Sequence, residues 1–195
     1  MKKLTNYQLM KISRNLDYYF NKATKEDIKS GLNWYPIAND ICKDIATKFN
    51  TTSLKAAEVI SIASPRNKWE QNIKDAYKIF EAVQYGLQPE DIKICTFHSN
   101  KFKAFNAISN NVNVTNKSLK TFNFVHNIAH LSPDHLTIDI WHLRACFSRM
   151  MQIDKASIGR IAYGQIKALT IKKAHKLGLK GYELQAIIWN SIRNK

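Results

Sequence analysis

Apolar residues recur every three or four positions along most of this chain, which is the spacing of one face of an α-helix. Strict alternation of apolar and polar residues, the pattern of a half-buried strand, is scarce. Only four prolines and six glycines interrupt the helical pattern. The pattern therefore predicts an all-α protein of about nine helices, with no internal repeat.

The helical pattern is interrupted early in the chain. Gly31 is predicted to end a polar segment from Lys22 to Lys29. Trp34 and Tyr35, just before Pro36, are then predicted to open the next helix. Aromatic side chains at a helix entrance can stack on an extruded base, or they can simply pack the start of the helix.

The segment from Asn116 to Met150 predicts two helices separated by a polar break. Thr115 or Ser118 is a candidate N-cap for the first helix, and Asp139 for the second. Lys120 would then lie in the first turn of one helix and Asp139 at the start of the next. The positive end of a helix dipole at each site favours a nearby anion. The two apolar stripes consist of Leu119, Phe122, Val125, Ile128 and Ala129, and of Ile140, Leu143, Phe147 and Met150.

The C-terminal quarter of the chain is predicted to hold three more helices. The first two lie near Lys155 to Leu169 and near Ile171 to Leu177. A turn at Gly178 to Gly181 precedes the last helix, whose apolar face includes Leu184 and Ile188.

The chain is strongly basic, and this property bears on its binding partner rather than on its fold. Its net charge is +15 and its pI is about 9.7. Neutralising phosphates requires surplus cations, so a nucleic acid is the first candidate partner. A second interpretation stays open, because an AT-rich genome would inflate lysine and asparagine without selection for binding. The cations are twenty-four lysines and only six arginines.

Cysteine usage and hydropathy indicate an intracellular protein. Cys42, Cys95 and Cys146 are far apart and odd in number, which suits a reducing compartment rather than a disulfide framework or a zinc site. No signal peptide and no membrane-spanning run are recognisable. We therefore expect a protein of the cytoplasm. We also expect it to be a monomer.

Two motifs in the central segment resemble a known family. The first is Lys120-Thr121-x-Asn123-x-Val125-x-Asn127, and the second is Thr137-Ile138-Asp139 followed after four residues by Arg144. Their spacing resembles the core of the helix-hairpin-helix DNA glycosylase superfamily, to which endonuclease III and 8-oxoguanine DNA glycosylase belong. In that family, a lysine opens the helix after the hairpin and an aspartate follows. The resemblance therefore implies that Lys120 and Asp139 are catalytic.

The match departs from the family pattern in two places. The glycine-containing hairpin is replaced by residues Val114 to Ser118, so Lys117 is an alternative for the family's lysine. The histidine that usually follows the aspartate by two positions is Trp141, and His142 is adjacent. We group Trp141 and His142 with Trp34 and Tyr35 as candidates for the base pocket.

Two further segments resemble elements of the same family. The polar loop Ser64-Pro65-Arg66-Asn67 occupies the place of the loop that fills the gap left by an extruded base, with Arg66 or Asn67 as the wedge. The helix around Asn100 to Ile108 resembles the one that leads into the hairpin. An ordinary solvated loop and an ordinary basic helix face are the alternatives. The implied DNA contacts are Arg66, Asn67, Lys101, Lys103, Lys117, Ser118 and Arg144.

The resemblance implies a two-lobed helical architecture with a DNA-binding cleft between the lobes. The resemblance also implies a single domain in which residues 1–56 and 151–195 form one lobe and residues 57–150 form the core. The implied function is a DNA glycosylase of base-excision repair, with or without abasic-site lyase activity, acting on duplex DNA with a modified, damaged or abasic site. The chain is short and matches the family pattern only loosely, and in this it resembles phage members of the family. The resemblance therefore implies the cytoplasm of a bacterium or of a phage-infected host. Alternatives are a base-modifying transferase, a non-catalytic DNA-binding protein and a structural helical protein.

A metal site is the weakest of the chemical hypotheses. His126 and His130 share a helix face, and His135, His142 and Asp139 follow in sequence. The metalloprotease signature requires glutamate where this chain has Asn127. We therefore expect neither a metal nor a cofactor.

Overall fold

The computed structural model describes residues 3–148 and 158–193. These residues form nine α-helices and one short 3-10 helix, and no β-strand occurs among them. The predicted all-α class is confirmed for this part of the chain. The helices are α1 (Asn6–Asn21), α2 (Lys25–Lys48), α3 (Ser53–Ala63), α4 (Trp69–Gln84), α5 (His98–Ser109), α6 (Leu119–His130), α7 (Ile140–Phe147), α8 (Arg160–Lys176) and α9 (Gly181–Arg193).

The chain divides into two compact units. Unit 1 comprises Met1–Ile37 and Ser132–Lys195, and unit 2 comprises Ala38–Leu131. The first boundary falls within α2. The lobes implied by the glycosylase resemblance, with limits at 56/57 and 150/151, stay a prediction.

Unit 1 is built around α9. This helix packs against α1, α7 and α8, and α1 also contacts α7 and α8. Leu184, Ile187 and Ile188 of α9 are buried together with Ile12 and Leu16 of α1, as the helical stripes of both segments require. These interlocking faces hold the start of α7, where Asp139 lies.

Unit 2 is built around α3, which packs against α4, α5 and α6. Small residues let the three neighbouring helices approach this short helix closely. Its fully buried side chains are Ala56, Ala57, Val59, Ile60 and Ala63. This core positions the loops on either side of α4 and the loop before α6.

Helix α2 corrects the prediction that Gly31 ends one segment and that Trp34 and Tyr35 open another. A single helix runs from Lys25 to Lys48 with Pro36 inside it. Proline removes one N–H donor from the helical ladder, but Tyr35 and Ala38 on either side of it are buried and hold the helix in place. Gly31 lies where a Cβ atom would come within 2.6 Å of Ile187, so this glycine serves close packing rather than helix termination.

Helix α8 corrects a second boundary. The two helices predicted near 155–169 and 171–177 form one helix, Arg160–Lys176. Residues 155–157 of that prediction, and Met150 of the earlier stripe, lie outside the described residues. In the described part of the chain, every helix is too short or too polar to cross a membrane.

Candidate nucleic-acid interface

Asp139 occupies the N-cap position of α7, as predicted. Its Oδ1 accepts a hydrogen bond from the backbone N–H of His142 at 2.8 Å. The residue is half-buried, so its carboxylate is held in place yet is not sealed in the core. A carboxylate at a helix N-terminus is favoured by the exposed N–H groups and by the helix dipole.

Tyr35 lies in the interior of unit 1, close to Asp139. Its side chain is 3% exposed, and its hydroxyl donates to Oε1 of Gln185 at 2.7 Å. Burial raises the pKa of Tyr35 far above its usual value; a hydrogen bond with Thr137 opposes this rise, and the charge of Asp139 adds to it. Because the tyrosine is enclosed, it offers no surface on which a base can stack in this conformation. The backbone that leads to Asp139 is held by Tyr163, whose hydroxyl donates to the carbonyl of Leu136 and accepts from the N–H of Ile138.

The other predicted aromatic residues of unit 1 belong to a cluster with arginines. The Cζ atom of Arg144 lies 4.4 Å from the centroid of the Trp141 ring. Arg193 lies 5.8 Å from the same ring and 4.5 Å from the Trp189 ring. Trp34 meets Trp189 edge to face, with ring centroids 5.8 Å apart. We call Trp34, Trp141, Arg144, Trp189 and Arg193 the arginine–tryptophan cluster.

Trp189 and Arg193 were not anticipated from the sequence. They are separated by four positions on α9, which places them on one helix face. An aromatic residue followed by arginine at that spacing was the available signal. The contact with Trp141 depends on the packing of α7 against α9, which the sequence pattern did not reveal.

His142 is a core residue rather than a pocket wall. Its ring is 2% exposed, and its Nε2 lies 3.2 Å from the hydroxyl of Thr170 on α8. Burial lowers the pKa of His142 to about 4, because a charged imidazolium is poorly solvated inside the protein. The ring is therefore neutral at pH 7.

In unit 2, the loop between α3 and α4 presents Arg66. This residue has a left-handed backbone with φ of 59°, and its side chain is exposed. Its Cζ atom lies 5.4 Å from the centroid of the Phe97 ring. Asn67, the other wedge candidate, donates instead to Oδ2 of Asp75 at 2.8 Å. Of the two candidates, Arg66 is therefore the one that reaches outward.

Asp75 is the buried residue that anchors this loop, and it was not predicted from the sequence. Its side chain is inaccessible to solvent and accepts hydrogen bonds from Asn67, from Gln71 and from the backbone N–H of Cys95, each at 2.8 Å. A buried carboxylate needs such donors to offset its lost hydration. The signal was an aspartate on the apolar face of α4, directly before Ala76.

The start of α6 places both candidate lysines in solvent. Ser118 is the N-cap residue, as one of the two predicted alternatives, although its hydroxyl makes no capping bond. Lys117 and Lys120 are exposed. The predicted position of Lys120 in the first turn of a helix is confirmed, and its side chain is not buried.

The loop before α6 is fixed by a buried ion pair that the sequence also did not reveal. Nζ of Lys55 lies 2.6 Å from Oε2 of Glu58, and the other oxygen of Glu58 accepts from the backbone N–H of Val114 at 2.7 Å. Lys55 also donates to Asn113 at 3.0 Å. These contacts hold Asn113 and Val114 in the loop that leads to α6.

The two lysines predicted on α5 differ in their surroundings. Nζ of Lys101 donates to the backbone carbonyl of Ile92 at 3.0 Å, so this lysine already has a structural role. Lys103 is exposed. Of the two lysines, Lys103 is therefore the one whose charged group is exposed to solvent.

The histidines do not assemble a metal site in the described part of the chain. His126 and His130 lie on α6 with ring centroids 5.9 Å apart. No group of three or more histidine, cysteine, aspartate or glutamate residues within 3–148 and 158–193 is arranged to hold a metal ion.

Comparison with known proteins places the chain in a family. The profile of DUF7178, described as a family of unknown function, matches residues 1–195. No curated protein and no solved structure matches the chain. Because the profile spans the whole sequence, the chain belongs to the DUF7178 family.

Proposed function

We propose that this protein releases a modified or damaged base from DNA, with Asp139 as the carboxylate that acts at the sugar. The observation that carries the proposal is the half-buried Asp139 at the N-terminus of α7, held by the backbone of His142 within the unit that also carries the arginine–tryptophan cluster. The net charge of +15 supports a polyanionic substrate.

The chemistry requires a base outside the stacked duplex, because the sugar carbon is otherwise out of reach. As the C1′–N bond breaks, the base keeps the electron pair and the sugar gains oxocarbenium character. The carboxylate of Asp139 stabilises this positive charge and accepts a proton from the water that adds at C1′. The exposed guanidinium of Arg66 would fill the gap left by the extruded base.

An amine nucleophile would extend the reaction to strand cleavage. If Lys120 attacks C1′ in place of water, an imine forms with the opened sugar, and the strand on its 3′ side can then leave by elimination. Lys117 is the alternative nucleophile, since both lysines are exposed at the start of α6.

A non-catalytic DNA-binding protein is the second candidate. The exposed Lys103, Lys117 and Lys120 of unit 2 favour it, because cations in solvent bind phosphate without any need for chemistry. A base-modifying transferase would use the same extruded base and is distinguished by its product.

The test uses short duplexes that each hold one uracil, one oxidised purine, one modified pyrimidine or one abasic site. Strand breaks that appear only after alkali indicate base release, and breaks without alkali indicate lyase activity. A changed base mass in an intact strand indicates a transferase. If the protein binds every duplex and alters none, it is a non-catalytic binder and the base-excision proposal is wrong.

Borohydride reduction of the reaction on abasic DNA tests the nucleophile. Lys120→Gln should abolish the covalent complex, while Lys117→Gln, a matched change of an exposed lysine three residues earlier, should retain it. Loss of the complex in Lys117→Gln alone would move the assignment by one helical turn. Retention in both variants would exclude both lysines.

A further inference from the structure

We propose that Arg66 and Phe97 form one DNA-contacting surface of unit 2, and that the buried carboxylate of Asp75 is the positioning residue that joins them. The ligand is DNA in which base stacking is interrupted, as it is at an extruded or missing base. This inference rests on the proposed DNA-directed function, and it adds Phe97 and Asp75 to the residues that serve it.

The side chain of Asp75 on α4 connects two loops. Its Oδ2 accepts the side-chain N–H of Asn67 in the α3–α4 loop and the backbone N–H of Cys95 in the segment before α5, each at 2.8 Å. Its Oδ1 accepts from Gln71 on α4 itself, also at 2.8 Å. A buried carboxylate depends on such donors, because it has lost its hydration. These hydrogen bonds therefore hold residues 64–68 and residues 92–97 in one arrangement.

The two loops present side chains that lie next to each other in solvent. Arg66 and Phe97 are both exposed, and Cζ of Arg66 lies 5.4 Å from the centroid of the Phe97 ring, within the range of a cation–π contact. The phenylalanine is still 46% exposed, so the arginine covers only part of it. Arg66 directly precedes Asn67, and Phe97 follows Cys95 by two positions. Each of the two contact residues is therefore close to a donor that Asp75 holds.

The backbone of Arg66 is held in a conformation that arginine rarely adopts. Its φ of 59° lies in the left-handed region, which costs a side chain with a Cβ atom conformational energy. Two hydrogen bonds of Asn67 maintain this turn, since its backbone N–H donates to the carbonyl of Ser64 at 3.1 Å and its side chain donates to Asp75. Glycine would meet the same backbone requirement at lower cost, so the turn alone does not explain an arginine here. The guanidinium explains it.

The composition of the two loops fits a nucleic acid. Lys68 and Lys93 are exposed beside Arg66, and no acidic residue occurs in residues 64–68 or 92–97. Cations neutralise phosphates, and an aromatic ring stacks on any base because every base has a π-face. A base that keeps both of its stacked neighbours offers no face to the Phe97 ring, whereas an interrupted stack does. The surface therefore favours DNA with an extruded or missing base over an intact duplex.

The experiment measures the affinity of the full chain for two labelled duplexes of the same sequence, one intact and one with a stable abasic analogue. The wild type should prefer the abasic duplex. Phe97→Ala should reduce this preference by about tenfold, as loss of one base–aromatic stack predicts. Arg66→Asn, which suits the left-handed backbone but lacks the guanidinium, should reduce it as well. Phe97→Tyr keeps a ring and should retain the preference, as should Tyr85→Ala, which removes another exposed ring at the far end of α4.

Two alanine variants test the positioning role of Asp75. Asn67→Ala and Gln71→Ala each remove one hydrogen bond of 2.8 Å from the same carboxylate, but only Asn67 connects it to a loop. Asn67→Ala should reduce the preference for the abasic duplex as much as Arg66→Asn does, and Gln71→Ala should leave it unchanged. The double variant Arg66→Asn/Asn67→Ala should lose no more than Arg66→Asn alone, because Asn67 acts through its neighbour. Thermal unfolding checks that each variant is folded.

Each contrary result has a distinct meaning. Binding of neither duplex would show that the DNA-directed function is wrong and would overturn the surface with it. Equal binding of both duplexes by the wild type, or an unchanged preference in Phe97→Ala and Arg66→Asn, would overturn the surface and leave DNA binding intact. Equal effects of Asn67→Ala and Gln71→Ala, or additive losses in the double variant, would overturn the role of Asp75. A preference that depends on Phe97 without any base release would retain the surface and overturn base excision.

Discussion

At the scale of single residues, the start of α7 carries two polar groups with different surroundings. Asp139 stays half-buried and accepts the backbone N–H of His142, whereas the imidazole of His142 is enclosed beside Thr170. An aspartate before an apolar helical stripe predicts an N-cap, so the sequence was sufficient to predict the position of Asp139. It was not sufficient to predict the burial of His142, because that burial depends on the packing of α8.

The enclosed imidazole predicts a loss of stability in mild acid. The folded-state pKa of His142, lowered to about 4, lies below its ordinary value of 6.5, so the unfolded chain binds a proton first. This contribution is complete above about pH 6.5 and is lost as the pH falls towards 4. Between about pH 7.5 and about pH 5, the free energy of unfolding should fall by about 2 kcal/mol from this residue.

Urea unfolding of the protein and of His142→Gln at both pH values measures this term. The variant should lose less stability than the wild type by that amount, since glutamine does not titrate. His175→Gln removes an exposed histidine of α8 and should reproduce the wild-type difference. The same pH dependence in all three proteins would contradict the assignment.

At the scale of elements, helix periods were predicted well and helix ends poorly. Gly31 was expected to end the polar segment from Lys22 to Lys29, because glycine is common just after the last turn of a helix. The structure instead uses its missing Cβ to bring α2 against Ile187 of α9. A contact between segments more than a hundred and fifty residues apart leaves no local signal, so the pattern around Gly31 predicted a boundary instead.

Two glycine-to-alanine changes should therefore act with opposite sign. Gly31→Ala places a Cβ atom 2.6 Å from the backbone nitrogen of Ile187 and should destabilise the protein by about 2–3 kcal/mol. Gly164→Ala lies inside α8, where a Cβ would meet nothing within 4 Å, and should stabilise it by about 0.5–1 kcal/mol. Thermal unfolding of both variants measures the difference, and equal shifts in Tm would contradict the close packing of α2 on α9.

At the scale of the whole molecule, the surplus of thirty lysines and arginines over fifteen acidic residues is the property that points to DNA. The sequence was sufficient for the sign and the size of the net charge. It could not indicate which of the cations are already engaged, as Lys101 is with Ile92 and Lys55 with Glu58. The position of Asp75 on the apolar face of α4 was a signal for its burial, but it was passed over because a carboxylate on a helix usually faces solvent.

Salt dependence distinguishes a binding surface from compositional bias. If about five exposed cations each release a counterion from duplex DNA, the logarithm of the binding constant should fall with the logarithm of salt concentration with a slope of about −4 to −5. Anisotropy titrations from low to moderate salt measure the slope. A slope near zero would mean that the charge serves no DNA surface.

The most direct measurement of the central claim compares base release and DNA binding by Asp139→Asn on whichever duplex the wild type processes. Asparagine caps a helix as well as aspartate does, so the fold and the duplex affinity should be retained. Base release should slow by about a hundredfold or more, because a neutral amide cannot stabilise the sugar cation. Asp134→Asn, at an exposed position five residues earlier, should leave both properties unchanged. Full activity of Asp139→Asn would contradict the account.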